Sequence, residues 1–447
     1  MSKVLLIDSI TKKKVIRSFR KRKIWLAPFI IVFLLISSFF VGRTAADFVL
    51  LKVDPVSLFA SGKFLVIFQN NAEIRSSGGF IGSFAVMDIE NYEIKSFNFN
   101  TNIYGLDRLY AEGNFIKAPE PINKMTKGQS WALRDANYDA SFPDSAQDIL
   151  YFYNQETGDS VDGIIALNAS VMIDLLNLTG PINLEKYDTT ISADNFYNET
   201  QYKIEKEYYE SPENWVINEP KTFLKDLYPK LLQEALKNKV ALVKLLNQEL
   251  TQKEIVLYFQ DANKQKIIET RNWAGKIPTD SELKDKFNNF QSTDYLYINS
   301  NSYSGNKSSI NIKEDIEYKV NSDGLVNLKI TRIHSGTNNW PDGKNTTWMR
   351  FFVPQGSTLV SAKNNEKIVT EEIKQGVEAD KTFFGVEAVI EPGEASILEL
   401  NYILPFEIKN YQLLVQKQPG IRQQNLSVFF NGQNLFNGVL NTDKEIK

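Results

Sequence analysis

The chain has 447 residues, 43% of them apolar and 23% charged, with no cysteine and a single histidine, His334. That composition belongs to a folded protein of two or three domains, and it leaves no material for disulfides, a thiol nucleophile or a histidine-rich metal site. The net charge of -3 is unevenly divided: residues 1–23 hold nine Lys/Arg against Asp8, a charge of +8, and the remainder carries -11. So acidic a body argues against nucleic acid as a partner.

Residues 24–41, IWLAPFIIVFLLISSFFV, carry no charge. As a helix they span roughly 27 Å, the depth of a bilayer's hydrocarbon core. Lys and Arg massed ahead of this segment predict a single-pass anchor in the cell membrane, with the N-terminus cytoplasmic and the body extracytoplasmic. A cleaved signal peptide is the other reading, with Thr44-Ala45-Ala46 as its small-residue exit. The expected division is a basic tail over 1–23, a transmembrane helix over 24–42, an α/β domain over 43–300 and a β-sandwich over 301–447.

Branched and aromatic residues over 63–69 predict a strand, and a Gly-containing bend at 76–79 leads to a second strand over 80–89. Asn91-Tyr92 turns that strand into a third, over 93–99. A helix is expected from Asp144, behind Pro143, to Glu156, with Gly158 as its stop. The segment 161–184, VDGIIALNASVMIDLLNLTGPINL, punctuates as strand, helix and strand, so a sheet with helices packed against it follows. Apolar residues at three- and four-residue spacing over 222–250 predict one long amphipathic helix, either ordinary packing onto the sheet or a wall that grips a lipid tail.

Beyond residue 300 helical periodicity disappears. Strands over 310–320 and 325–333 flank Asn321-Ser322-Asp323-Gly324, whose Asp-Gly pair is a hairpin signal. About seven short strands are expected here, forming an immunoglobulin-like sandwich. The Asn- and Ser-rich run 299–309 is either a link between domains or a loop that lines a site in the first one.

Three clusters can carry chemistry. In NNAEIRSSGGFIGS (70–83), Ser76, Ser77, Gly78 and Gly79 would let backbone N–H groups approach an anion beside Arg75, or they form a tight turn. In RDANYDASFPDSA (134–146), Arg134 is a candidate phosphate clamp and Asp135 a candidate Mg²⁺ ligand or general base, or the two form only a solvated ion pair. In NFNTNIYGLDR (98–108), Asp107 and Arg108 are the charged members of a loop after a strand, where sheet proteins place their sites. Asp107 and Asp135 are the candidate ligands of a Mg²⁺ ion. A glycosidase with paired carboxylates is a further possibility, but no spacing singles out a pair.

These blocks, together with VDGIIALN, LLNLTGPINL and the late QKQPG (416–420), resemble a bacterial domain-of-unknown-function family, number 4012. More distantly, 80–184 is similar to the LytR-CpsA-Psr envelope phosphotransferases. That second resemblance implies an anchored cell-wall protein with a central mixed sheet that binds or transfers polyprenyl pyrophosphate-linked glycopolymers onto peptidoglycan. Arg75, Asp107, Arg108, Arg134 and Asp135 would then be its catalytic residues, and removing Arg75 or Arg134 would abolish ligand binding while sparing stability. A departure stands beside the likeness: no Asp follows Arg75, the Pro-Arg-Asp element is missing, and no Arg-x-Arg pair follows Leu184. A surface scaffold that keeps the fold without the activity is the alternative.

Overall fold

The computed structural model describes residues 55–217, 219–287, 293–408 and 410–447. The basic tail and the expected transmembrane helix therefore lie outside the described residues. Among the described residues no helix is long and apolar enough to cross a membrane.

The first half is built on a five-stranded mixed sheet. Its strands are β1 (Gly62–Arg75), β2 (Gly78–Glu90), β3 (Glu93–Asn100) and β4 (Gly163–Asn168). A separate ribbon of β5 (Ile182–Leu184) and β6 (Thr189–Ile191) follows, and β7 (Ile255–Phe259) completes the main sheet. The order is β3-β2-β1-β4-β7, with β1 and β4 parallel and the other pairs antiparallel. Alternation along β1 sets the layers. Phe64, Val66 and Phe68 face one helical layer, while Leu65 and Ile67 face the other.

The second of those layers holds α1 (Ile103–Ala111) and α3 (Phe142–Thr157), with the short α2 (Glu120–Met125) between them in sequence. Gly158, at φ 70°, ends α3 in the left-handed conformation that favours glycine. The first layer holds α4 (Ala169–Thr179), α5 (Phe196–Glu205), α7 (Thr222–Ala235), α8 (Lys239–Thr251) and α9 (Ala262–Thr270). α6 (Pro212–Ile217) precedes α7, and α10 (Asp280–Lys286) leads out of the domain. The single helix expected over 222–250 is two helices. The Asn238 side chain accepts from the Ala241 N–H and starts α8 afresh after a 3₁₀ turn at Leu236–Asn238.

The second half is a sandwich of thirteen strands rather than seven. One sheet contains β9 (Ile312–Val320), β10 (Leu325–His334), β12 (Thr358–Asn364), β13 (Lys367–Ile368), β16 (Ala395–Ile403), β18 (Gln424–Phe430) and β19 (Gln433–Leu440). The other contains β8 (Asp294–Ser302), β11 (Asn345–Pro354), β14 (Lys374–Glu378), β15 (Lys381–Ile390), β17 (Leu413–Gln416) and β20 (Lys444–Ile446). Their inner faces share one core, from Leu296 and Phe351 to Ile330 and Leu400. Both sheets are mixed, because β17 runs parallel to β8 and β18 parallel to β9. An immunoglobulin-like sandwich would be antiparallel throughout. β8 starts at Asp294, so the sandwich takes in residues before the expected boundary at 301.

Candidate functional site

A cavity of about 370 Å³ opens at the C-terminal ends of the parallel strands β1 and β4, the end of a sheet at which ligands usually bind. Its floor comes from Phe68, Gln69 and Asn70 of β1, Leu167 and Asn168 of β4, and Phe80 of β2. α4 contributes Ala169 and Met172, α5 contributes Phe196 and Ile204, and α7 contributes Leu224 and Tyr228. Leu227 and Leu231 of α7 meanwhile pack into the core beneath. α7 thus serves both as ordinary packing and as an apolar cavity wall.

One end of the cavity, beside Tyr104, carries Lys221, Lys307 and Glu205, and Thr200 and Gln69 also belong to the lining. Lys221 is buried, donates to the Gly82 carbonyl and lies over the Tyr104 ring. Burial, reinforced by the neighbouring charge of Lys307, pushes its amine down to about 7. Lys307 sits in the Asn- and Ser-rich run, which therefore lines a site of the first domain. It donates to Glu73 Oε2 at 2.6 Å and stands 3.8 Å from Glu205. Gln69 is 1% exposed, yet neither atom of its amide has a hydrogen-bond partner. The amide lies against Gly78, where an added Cβ would come within 2.3 Å of its oxygen, so only glycine leaves the amide that position. The Thr200 hydroxyl is likewise buried and unpartnered.

Arg75 lies just beneath this end. Its guanidinium is fully buried and donates to Glu73 at 2.9 Å, to Asp135 at 3.2 and 3.3 Å, and to the Ser302 carbonyl of β8 at 2.8 Å. Burial raises the Glu73 carboxyl, but Arg75 and Lys307 outweigh it and hold the group at about 2. Arg134 stands 3.4 Å from both Asp135 and Asp107 and lies over the Tyr104 ring. Burial pushes Asp107 up to about 6 and, with Asp107 beside it, Glu156 up to about 9. Arg75, Arg134, Asp107 and Asp135 thus converge, but on one another. Arg108 is exposed on α1 and takes no part in these ion pairs.

Ser76, Ser77, Gly78 and Gly79 are buried between the sheet and the sandwich. Ser76 accepts from Asn299 at its carbonyl and from Arg350 at its hydroxyl. Ser77 donates to Ser145, and the Gly79 N–H donates to Asn168. A Cβ on Gly79 would sit 2.2 Å from the Asn70 carbonyl carbon, so the pair forms a close backbone crossing. QKQPG closes the same seam. Gln418 donates to the carbonyls of Arg75 and Ser300, and Lys417 pairs with Glu254, both side chains fully buried.

Among the described residues no group of three or more His, Asp or Glu is placed to hold a metal ion. The Asp107 and Asp135 carboxylates that would have to ligate Mg²⁺ each face a guanidinium, and the donor set does not fit a divalent cation. His334 is buried; its Nε2 bonds the Gly343 carbonyl and its Nδ1 accepts from the Gly336 N–H.

Residues 61–204 match the family model described as a protein of unknown function, DUF4012. The matched segment runs from β1 into α5 and supplies the cavity floor and two of its walls, but neither Lys221 nor Lys307. No curated protein matches the chain. Partial likenesses among solved structures include a protein described as nutrient-binding from Legionella pneumophila and an M1 zinc metallopeptidase from Deinococcus radiodurans. The first is 12% identical over 30% of this chain and 54% of its own, with a TM-score of 0.22. The second is 12% identical over 26% of this chain and 32% of its own, with a TM-score of 0.16. The chain thus spans about half the length of one and a third of the other, and neither bears on its fold or function.

Sequence reasoning did not single out Lys221, Lys307 or Gln69. Lys221 did leave a signal: a cation at the N-terminus of an amphipathic helix opposes the helix dipole, an unfavourable placement that calls for another reason.

Proposed function

We propose that this is a membrane-anchored, extracytoplasmic protein of the cell envelope that binds a lipid-type ligand, its apolar chain lying in the cavity between the sheet and α4, α5 and α7. The cavity carries this reading. Its volume falls within the usual range for ligand sites, most of its lining surface is aliphatic and aromatic, and its charged groups, Lys221, Lys307 and Glu205, lie near one another. The apolar segment over 24–41 would hold that cavity near a membrane. The sequence likeness to LytR-CpsA-Psr proteins, with a mixed sheet and a helix-lined slot, supports a lipid-linked glycan of the envelope as the ligand class.

Binding without transfer is favoured over phosphotransfer. Arg75 donates all round to protein acceptors, and the carboxylates beside it are committed to guanidinium groups. Among the described residues no arginine cage is left at this site to stabilise a diphosphate leaving group.

Ala169→Trp fills the cavity from the first turn of α4 without removing a core side chain. Mass spectrometry of the full chain isolated from membranes should find a lipid on the natural protein and lose it in the variant. Equal lipid on both, or none on either, would overturn the reading.

A further inference from the structure

The charges around the cavity decide what kind of head group it can take. Among the described residues, the fully buried lysine side chains each have a carboxylate: Lys253 has Asp443 at 2.7 Å, Lys381 has Asp280 at 2.7 Å and Lys417 has Glu254 at 3.0 Å. Lys221 has none within ion-pair distance. It bonds one backbone carbonyl and faces an apolar space. Lys307, the other amine of the cavity, is already satisfied by Glu73 and Glu205. Beneath it, Arg75 and Arg134 are matched by Asp135 and Asp107. The site thus has one cation to offer and no surplus for a diphosphate.

Two further features sit at the same place. Lys221 is the N-cap of the 14-residue α7, so the positive end of that helix adds to the field that favours an anion. The Thr200 hydroxyl lines the cavity as a buried hydrogen-bonding group without a partner, a costly condition that a bound head group would relieve.

We infer that the cavity takes an amphiphile whose head carries one negative charge, a carboxylate or a phosphodiester, with Lys221 as its counter-ion and the Thr200 hydroxyl as a donor to the head's oxygens. This rests on the lipid-binding reading above and narrows it. The groups that act on Lys221 are Lys307, which opposes its charge, and Glu205, Asp107 and Glu73, which favour it from farther away. With its amine near 7 in the free cavity, the head can be held above that pH only if a proton is taken up on Lys221. Affinity should then fall about tenfold per pH unit above 7.

The experiment uses the full chain in lipid nanodiscs with a fluorescent polyene fatty acid as probe, displaced by dodecanoate, methyl dodecyl phosphate, dodecanol or dodecyltrimethylammonium. The two anions are expected to compete at least tenfold better than the alcohol, and the cation not at all; the stronger anion identifies the head. Lys221→Met should cost the anions at least tenfold and leave the alcohol unchanged, Lys221→Arg should keep the preference, and Glu205→Gln should strengthen it. Equal competition by anion and alcohol, or undiminished anion binding in a folded Lys221→Met, would overturn the charge assignment alone. Failure of every probe, the alcohol included, would remove the lipid-binding reading and this one with it.

Discussion

Arg75→Ala removes the cation from a closed compartment. Four hydrogen bonds of 2.8–3.3 Å vanish, and two of the three groups left behind are the buried carboxylates of Glu73 and Asp135. Breaking a buried ion pair from one side costs about 3–5 kcal/mol; here Glu73 keeps Lys307 and Asp135 keeps Arg134, but each buried carboxylate loses its bonds to the guanidinium with no water to replace them. For a domain of this size each kcal/mol moves Tm by about 2–4 °C, so a fall of roughly 6–20 °C is expected. The loss should reach both halves of the molecule, since the same guanidinium holds the Ser302 carbonyl of the sandwich. Scanning calorimetry of the full chain should therefore show the main transition lowered and broadened or split. Arg75→Met combined with Asp135→Asn, which removes one of the two carboxylates that lose the guanidinium, should recover part of the fall. A Tm within about 2 °C of the natural protein would refute the reasoning and return Arg75 to the role of an open anion clamp, whose removal spares stability.

Other outcomes follow from buried charges and caps. Glu156 holds its proton in the fold, its carboxyl raised from 4.5 to about 9, so its contribution is complete below about 4.5 and is lost as pH rises toward 9. Urea midpoints should fall over that window, and less steeply in Glu156→Gln. Lys417→Met strands the buried Glu254 and should cost about 3–5 kcal/mol in urea unfolding, with Lys417→Met/Glu254→Gln recovering part. Asn238→Ala removes the cap of α8 and should cost about 1 kcal/mol, measured the same way.

Punctuated elements were legible in the sequence. Gly158 and Gly180 end their helices where expected, and Asn91-Tyr92, both at positive φ, turn β2 into β3. Gly324 likewise closes the turn between β9 and β10. What failed to show was a break inside a continuous apolar period. Leu224 to Leu250 keep helical spacing across residues 236–238, and only a side-chain cap on a backbone N–H divides them. Short edge strands such as β13 and β14 carry little apolar patterning, being largely exposed, and β7, a plain apolar run of five residues, has no alternation to mark it.

The clusters at 70–83 and 134–146 were found because they are dense in charge and glycine. Those same features serve the seam between sheet and sandwich, where Ser76 meets Arg350 and Gly79 crosses Asn70. An isolated lysine at 221 and another at 307 carry no local motif. They become partners of one cavity only through the fold.

The match over residues 61–204 is smaller than anything that could stand by itself. A piece cut at 204 would strip β7 from the flank of β4 and expose an unpaired strand edge. It would also leave Glu73 without Lys307, and Arg75 without the Ser302 and Gln418 that grip its two ends. Recombinant work on the matched stretch alone is expected to yield aggregates, and a fragment that keeps these contacts reaches past Gln418.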